Sequence, residues 1–386
     1  MTRRDLLLGM PAFFQRRRQR VVVFMVDGLG PDYIAASRMP VLTGWQRRGI
    51  GKTVDGVMPS VTNANNTSIC CGVWPEKHGI TANFYLNESN GREEYMEDAD
   101  LVLAPTLFER AAAHGVKSAL LSSKKKTITL LPRGAEIVLS AEIPGAEWID
   151  RLGKAPDIYS AEINHWLLRA AVWVLRNRPD IGVLYIHTTD YPMHMWPPED
   201  ERSKRHLAGL DSLLGEISEA ASDAAILLTA DHGMHHKTRC WDLMKACGAR
   251  GVALRAAISA EQDKYLKHHS GFGGTAWVYL KSDRDADRAA TTMQELSGVQ
   301  QVLTRSDAAR RFRLMPSRIG QLVTLGDRDT VFGGLDSEVV DLPPEYRSHG
   351  SLAESTVPLI VHNAEGAPGA GFFRANVDLA RWLFAG

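Results

Sequence analysis

The chain is poor in cysteine, in net charge and in long apolar runs, and each shortage excludes something. Its 386 residues include only four cysteines: Cys70, Cys71, Cys240 and Cys247. Two are sequence neighbours, which suits no disulfide framework, and the other two lack zinc-ribbon spacing. All four read as reduced thiols, as expected of a cytoplasmic chain. Forty-five basic residues balance forty-five acidic ones, giving a formal net charge of zero. A protein that coats nucleic acid or an anionic membrane would carry a basic excess, so any anion site must be a local cluster. No apolar run approaches the roughly 20 residues that span a bilayer. The opening stretch TRRDLLLGMPAFF has the look of a twin-arginine export signal. However, Gly9 and Pro11 break its apolar run, and Arg16, Arg17, Arg18 and Arg20 follow with no small-residue cleavage site. Residues 1–20 therefore read as a basic extension. The expected partner is a small molecule, with no nucleic acid and no membrane; a homodimer is compatible with the sequence but not specified by it.

The remaining composition is that of a globular enzyme, 44% hydrophobic and 23% charged. Val21–Val26 is a β-branched apolar run followed by Asp-Gly, the pattern of a buried parallel strand entering a loop. Val116–Leu121 reads as another strand, and Val183–His187 and Ala224–Thr229 as two more buried ones. Pro105–His114 and Tyr159–Arg178 read as helices between strands. Alternating strands and helices imply an α/β fold with a mostly parallel sheet between helical layers. Such sheets bind ligands at the carboxyl ends of their strands. After about His236 the pattern changes. Thr275–Lys281, Ala286–Ser297 and Gln300–Leu303 read as strand, helix, strand, and Gln321–Leu325 with Thr330–Phe332 as a hairpin. Residues 237–340 thus form a smaller inserted α+β cap lobe. Val357–Val361 returns to the main sheet, and the core comprises 21–236 and 341–386.

Chemistry gathers at the strand ends. Asp27 follows VVVFMV, Asp190 follows VLYIH, and Asp231 with His232 follows AILLTA. One such aspartate commonly caps a turn. Three converging on one sheet edge would repel each other and raise their pKa values unless a divalent cation compensates. Asp190 and His194 are one helical turn apart, and His349 lies in RSHGS before the last strand. Thr62 precedes an Asn-rich turn and a helical pattern from about Asn65, so its hydroxyl lies at a helix N-terminus suited to anions. Lys124, Lys125 and Lys126 follow a strand, at the same edge.

Together the blocks FMVDGLGPDY, MPSVTNANNTSICCGVWPEKHGITANF, SSKKKTITLL, IHTTDYPMH, TADHGMHHK and RSHGSLAESTVPLIVHN resemble the alkaline phosphatase superfamily. Specifically, they resemble its nucleotide pyrophosphatase/phosphodiesterase branch and, within that, the phosphonoacetate hydrolases. The resemblance implies an alkaline-phosphatase-like core and two zinc ions, with manganese or iron as alternatives for Asp/His ligands. Asp190, His194 and His349 match the ligands of one metal. Asp27, Asp231, His232 and the Thr62 hydroxyl match those of the other. Thr62 matches the nucleophile and Asn83 the residue that holds a phosphoryl oxygen, with His194 and His349 also bordering the substrate. Lys124 and Lys126 match the pair that binds the substrate carboxylate. The residue between them is often acidic in that branch and here is Lys125, which adds positive charge. His78 reads as structural, while His235 and His236 carry no assigned role. Met193, Met195 and Trp196 read as packing or pocket wall, and His268 and His269 as surface residues.

The implied reaction is hydrolysis of phosphonoacetate to acetate and phosphate through a phosphothreonine. One alternative is a phosphodiesterase or nucleotide pyrophosphatase using the same metals and Thr62, with Tyr85 or Trp196 in a nucleobase slot. Another is a non-catalytic phosphonate sensor, against which stands the complete ligand set.

Overall fold

The computed structural model describes residues 19–264, 267 and 270–384. The export-like stretch, most of the basic extension, and His268 and His269 lie outside the described residues. The central sheet has seven strands: β1 (Val21–Met25), β2 (Ile50–Asp55), β3 (Lys117–Ser122), β4 (Ile137–Ser140), β5 (Ile181–His187), β6 (Ala225–Thr229) and β7 (Thr356–His362). Their order is β2-β7-β6-β1-β5-β3-β4. β1 runs parallel to β5 and β6, and β3 parallel to β4 and β5. Only β7 reverses, pairing antiparallel with β6 and β2. Every residue of β1 is buried, so both faces of the sheet are covered. Helices Glu162–Asn177 and Glu201–Ala220 pack on each other, and the first also packs on β5. Helix Leu107–Ala113 packs on β3, with Phe108 edge-on to Tyr185 of β5.

A second sheet is wholly antiparallel. Its strands run Leu254–Ser259, Thr275–Leu280, Leu322–Gly326 and Val299–Thr304 in spatial order. The strand TAWVYL is buried throughout, and its period of two divides it. Ala276, Val278 and Leu280 join a local core, whereas Trp277 and Tyr279 face the main one. The second sheet is thereby seated against the first by aromatic side chains.

Several elements depart from the sequence reading. Gln321–Leu325 and Thr330–Phe332 do not form a hairpin. Leu322–Gly326 already has a partner on each edge, so Thr330–Phe332 pairs parallel with Arg239–Trp241 instead. Pro105 precedes its helix, which starts at Leu107 behind a capping box made by Thr106 and Glu109. The helix expected from Asn65 begins at Thr62. Tyr159 lies ahead of its helix, in a turn where its N–H donates to Asp157. The helix expected over Ala286–Ser297 ends at Gln294.

Registers place the site. Met25 of β1 lies level with His187 of β5 and Thr229 of β6. The three following loops therefore leave the sheet at one level. Helix Pro40–Arg48 has no cap of its own and is capped from afar. Val41 and Leu42 donate their N–H groups to the two oxygens of Asp211, at 3.0 and 2.9 Å. Asp211→Ala should cost about 2–3 kcal/mol, because two buried amides lose a charged acceptor. Urea unfolding checks this, and a loss below about 0.5 kcal/mol would show that water replaces the carboxylate.

Candidate metal centre and adjoining pocket

Strands β1, β5 and β6 lead into acidic residues that gather in one buried cluster. Asp27 follows β1, and Gly28 then takes φ +74, where an added Cβ would lie 3.0 Å from Asp190 Cβ. That close approach explains the Asp-Gly pair. Asp190 precedes helix Tyr191–Met195, and His194 Nε2 returns to within 2.9 Å of Asp190 Oδ2. Asp231 and His232 follow β6. Arg347–Ser348 pairs with His235–His236 and so delivers His349, whose ring stacks on His232 at 3.5 Å between centroids.

The histidine tautomers follow from their outer partners. His194, His232 and His349 each direct Nδ1 at a backbone carbonyl: Arg347 at 2.9 Å, Gly233 at 2.9 Å and Ser60 at 2.7 Å. A carbonyl only accepts, so each Nδ1 carries a proton; Nε2 of His232 and His349 presents a lone pair inward, whereas Nε2 of His194 faces the Asp190 carboxylate. Metal-binding histidines are held in this way. Asp190, His232 and His349 form one group whose ligand atoms lie within 4.8 Å of each other, and Asp27, Asp231 and His232 form a second. Asp27 Oδ1, Asp231 Oδ2, His232 Nε2 and His349 Nε2 are buried without a hydrogen bond. Orphaned atoms of this kind, all acceptors, fit divalent cations.

The resemblance assigned His194 to one metal and His232 to the other. Here His232 lies within both groups, while His194 approaches Asp190 through Nε2 and His349 at 5.5 Å between ring centroids. Thr62 is buried at the first position of helix Thr62–Cys71. Its neighbours are tied into the site: Ser60 O accepts from His349, and Asn63 N–H donates to Asn83 Oδ1 at 3.1 Å.

Electrostatics bear out the crowding. Burial and the Asp27 charge push the Asp231 carboxyl well above the usual carboxylate range. Burial also raises Asp190, but the Lys124 ammonium and His194 outweigh it and hold that carboxyl well below its ordinary value. Lys124 Nζ bridges Asp27 Oδ2 at 2.6 Å and Asp190 Oδ1 at 2.8 Å. Lys126 is buried and paired with Asp263. Lys125 is exposed, and its N–H donates to Glu142. Lys124, Lys126, Glu142, Tyr159, Tyr191, Glu261 and Asp263 are among the residues lining a cavity of about 50 Å³ beside Asp190.

Three residues in the site went unnoticed in the sequence. His187, the last residue of β5, accepts at Nδ1 from Thr127 at 2.8 Å and places Nε2 3.1 Å from Asp27 Oδ2. Its signal was present, since it ends the same strand that leads to Asp190. Glu261 Oε2 accepts from Asn83 Nδ2 at 3.1 Å, and Oε1 lies 3.2 Å from His349 Nε2 without the alignment of a hydrogen bond. Glu261 and Asp263 follow a strand of the second sheet, and no local pattern connects them to the core.

His78 is held by its neighbours. It accepts from Ile80 N–H at Nδ1 and so donates from Nε2 to Ser68, and burial pushes its pKa down to about 3. Met193 is buried and Met195 exposed. Tyr85 is buried with its hydroxyl on Glu94, and Trp196 carries the Arg202 guanidinium over its ring at 5.2 Å. His235 Nδ1 and the fully buried Lys237 Nζ both bond Glu354 Oε1 at 2.8 Å, while Ser351 N–H and Oγ donate to Oε2. Glu354 thus binds the segment after His232 to the turn after His349.

Burial raises the Glu354 carboxyl, but Lys237 and His235 outweigh it and hold its pKa well below the model-compound value of 4.5. Its stabilisation is complete above that value and is lost as pH falls toward the lowered one. Glu354→Gln should therefore cost on the order of 3–5 kcal/mol at pH 7, by stranding Lys237. The gap to wild type should narrow in acid unfolding below about pH 4.5. A gap independent of pH would show that the ion pair is not its source.

The sequence profile described as type I phosphodiesterase / nucleotide pyrophosphatase matches residues 21–352. Phosphonoacetate hydrolase from Sinorhizobium meliloti 1021, solved in complex with phosphonoacetate, superposes with a TM-score of 0.84. It is 30% identical, with 95% of each chain covered. Human ectonucleotide pyrophosphatase/phosphodiesterase 5 shares the fold at a TM-score of 0.66 and 16% identity, covering 94% of this chain and 92% of that one. Among curated proteins, the Mus musculus bis(5′-adenosyl)-triphosphatase is 25% identical over 238 residues, 58% of this chain and 49% of that protein. The chain spans about half the length of the first curated relatives it matches. Among the described residues, no helix is long and apolar enough to cross a membrane.

Proposed function

The chain belongs to the type I phosphodiesterase/nucleotide pyrophosphatase family of the alkaline phosphatase superfamily, and on that premise we propose that it hydrolyses the C–P bond of phosphonoacetate. The observation that carries this reading is the pair of ammonium groups, Lys124 and Lys126, lining a small cavity beside the carboxylate–histidine cluster. A phosphonate at the cluster would extend its carboxylate toward them. A cavity of about 50 Å³ also favours a small substrate over a nucleotide.

Two divalent cations, zinc in this reading, would be held by Asp27, Asp190, His194, Asp231, His232 and His349 and would polarise the phosphoryl oxygens and lower the pKa of the Thr62 hydroxyl. Manganese or iron would suit the same donors. Thr62 Oγ1 attacks phosphorus. The new O–P bond forms as the C–P bond breaks, and the released electron pair spreads onto the adjoining carboxylate as an enolate. Asn83 holds a phosphoryl oxygen. Lys124 is paired with Asp27 and Asp190 and lines the same cavity as Lys126, where its third donor would meet the substrate carboxylate. Lys124 and Lys126 then face the oxygens on which charge grows, so their attraction strengthens toward the transition state. The proton of the Thr62 hydroxyl passes to water, a proton from water adds to the carbon to give acetate, and a second water hydrolyses the phosphothreonine to phosphate and restores the hydroxyl.

The family and the curated relatives favour phosphodiester hydrolysis as the second reading. It uses the same Thr62 on an ester, and faster turnover of nucleotide esters than of phosphonoacetate would establish it. Zinc-loaded protein should release equal amounts of acetate and phosphate from phosphonoacetate, and a chelator should stop the release. Absence of release from protein holding two metals would remove the substrate assignment. Thr62→Ala should lower turnover by at least about 10³-fold while metal analysis still finds two ions per chain. Retained activity would exclude the phosphothreonine.

A further inference from the structure

We propose that Asp263, brought from the second sheet, is a positioning residue that sets the Lys126 ammonium for the substrate carboxylate. This deepens the phosphonoacetate reading and rests on it. Lys126 lies in the first turn of the six-residue helix Lys125–Leu130, which has no acidic residue there. The positive end of a helix disfavours a cation, so helix stability does not explain a lysine at this position. A lysine on a short helix at the molecular surface ordinarily stretches its ammonium into water. Lys126 instead turns inward, with 6% of its side chain exposed, onto an Asp263 side chain that is 4% exposed.

The Asp263 segment is anchored. Ala260 N–H donates to Thr275 O, and Ala260 O accepts from Asn83 N–H, both at 2.9 Å. Glu261 then bonds the Asn83 side chain. The residue proposed to hold the phosphoryl group and the residue proposed to hold Lys126 are thus fixed to the same short stretch of chain.

The two lysines are held from opposite sides. Lys124 is drawn to Asp27 and Asp190 in the core, and Lys126 to Asp263. An ammonium has three donors, and one carboxylate does not use them all. Lys126 therefore keeps donors for the cavity that it lines with Lys124 and Asp263. A carboxylate beside the seat of an anionic substrate repels that substrate. Its presence is accounted for if it fixes the cation that the substrate needs.

The test compares wild type, Asp263→Asn and Asp263→Glu, all metal-loaded, on phosphonoacetate and on an aryl phosphonate monoester lacking the carboxylate. Asp263→Asn should lower kcat/KM on phosphonoacetate by on the order of tenfold to hundredfold, with KM raised and kcat lowered. That loss should exceed the loss on the ester at least tenfold, and Asp263→Glu should recover most of it. Adding Asp263→Asn to Lys126→Ala should cost little more on phosphonoacetate than Lys126→Ala alone. This cycle also covers a single variant that folds poorly, since it removes both buried partners together. Equal losses on the two substrates, or additive losses in the cycle, would overturn the inference. So would a lowered KM, which would make Asp263 a competitor of the substrate. Wild-type turnover of phosphonoacetate with an unaffected variant would overturn only the Asp263 role. Wild-type cleavage of the ester without turnover of phosphonoacetate would overturn the functional reading and this inference together.

Discussion

Burying Asp27, Asp190 and Asp231 side by side is the constraint to which the rest of the site answers. Three carboxylates out of water repel one another and favour protonation. The fold creates the crowding, because β1, β5 and β6 run parallel and end level. The protein compensates in part. Lys124 bridges two of the acids, His187 meets Asp27, and Gly28 N–H donates to Asp231. Asp27 Oδ1 and Asp231 Oδ2 still lack hydrogen bonds. Cations would use these atoms and the inward lone pairs of His232 and His349 at once.

A centre of this kind requires its outer contacts to be as well fixed as its ligands. The three Nδ1 protons are taken by carbonyls of Ser60, Gly233 and Arg347, on three separate stretches of chain. Arg347 extends the bracing. Its guanidinium donates to Met193 O, Met234 O and the Tyr33 hydroxyl. It therefore ties the helix bearing His194 to the loop after His232. The Glu354 carboxylate joins the same loop to the turn after His349. These contacts oppose independent movement of the strand-end loops.

What could be read in the sequence was local or repeated. Five of the seven core strands showed themselves as short apolar runs, whereas Ile50–Asp55 and Ile137–Ser140 did not, and Asp27, Asp190 and Asp231 stood just beyond three of them. Thr62 stood out by its Asn-rich context, and the histidines by their spacing from the acids. Pairing was less legible. TLG and TVF around a turn have the pattern of a hairpin, but the first of these strands already has partners on both edges. His187 ends the strand that leads to Asp190, so its place was legible, but its contact with Asp27 on a neighbouring strand was not. Glu261 and Asp263 carry no local mark at all. Asp263 meets Lys126 across 137 residues, and only the docking of the second sheet on the first brings them together.

The lysine run shows how little a sequence of like charges says about a common role. Lys124 is in an extended conformation just before its helix, while Lys125 and Lys126 open the helix itself. Successive helical residues turn by about 100°, so the three side chains part. One enters the acid cluster, one faces solvent and one meets the second sheet. The extra charge at Lys125, the departure from the family pattern, therefore falls in water, where it is screened. The cavity keeps two ammonium groups with one residue between them. Each is backed by carboxylates from a different sheet, so recognition of a carboxylated phosphonate would depend on the two sheets remaining docked.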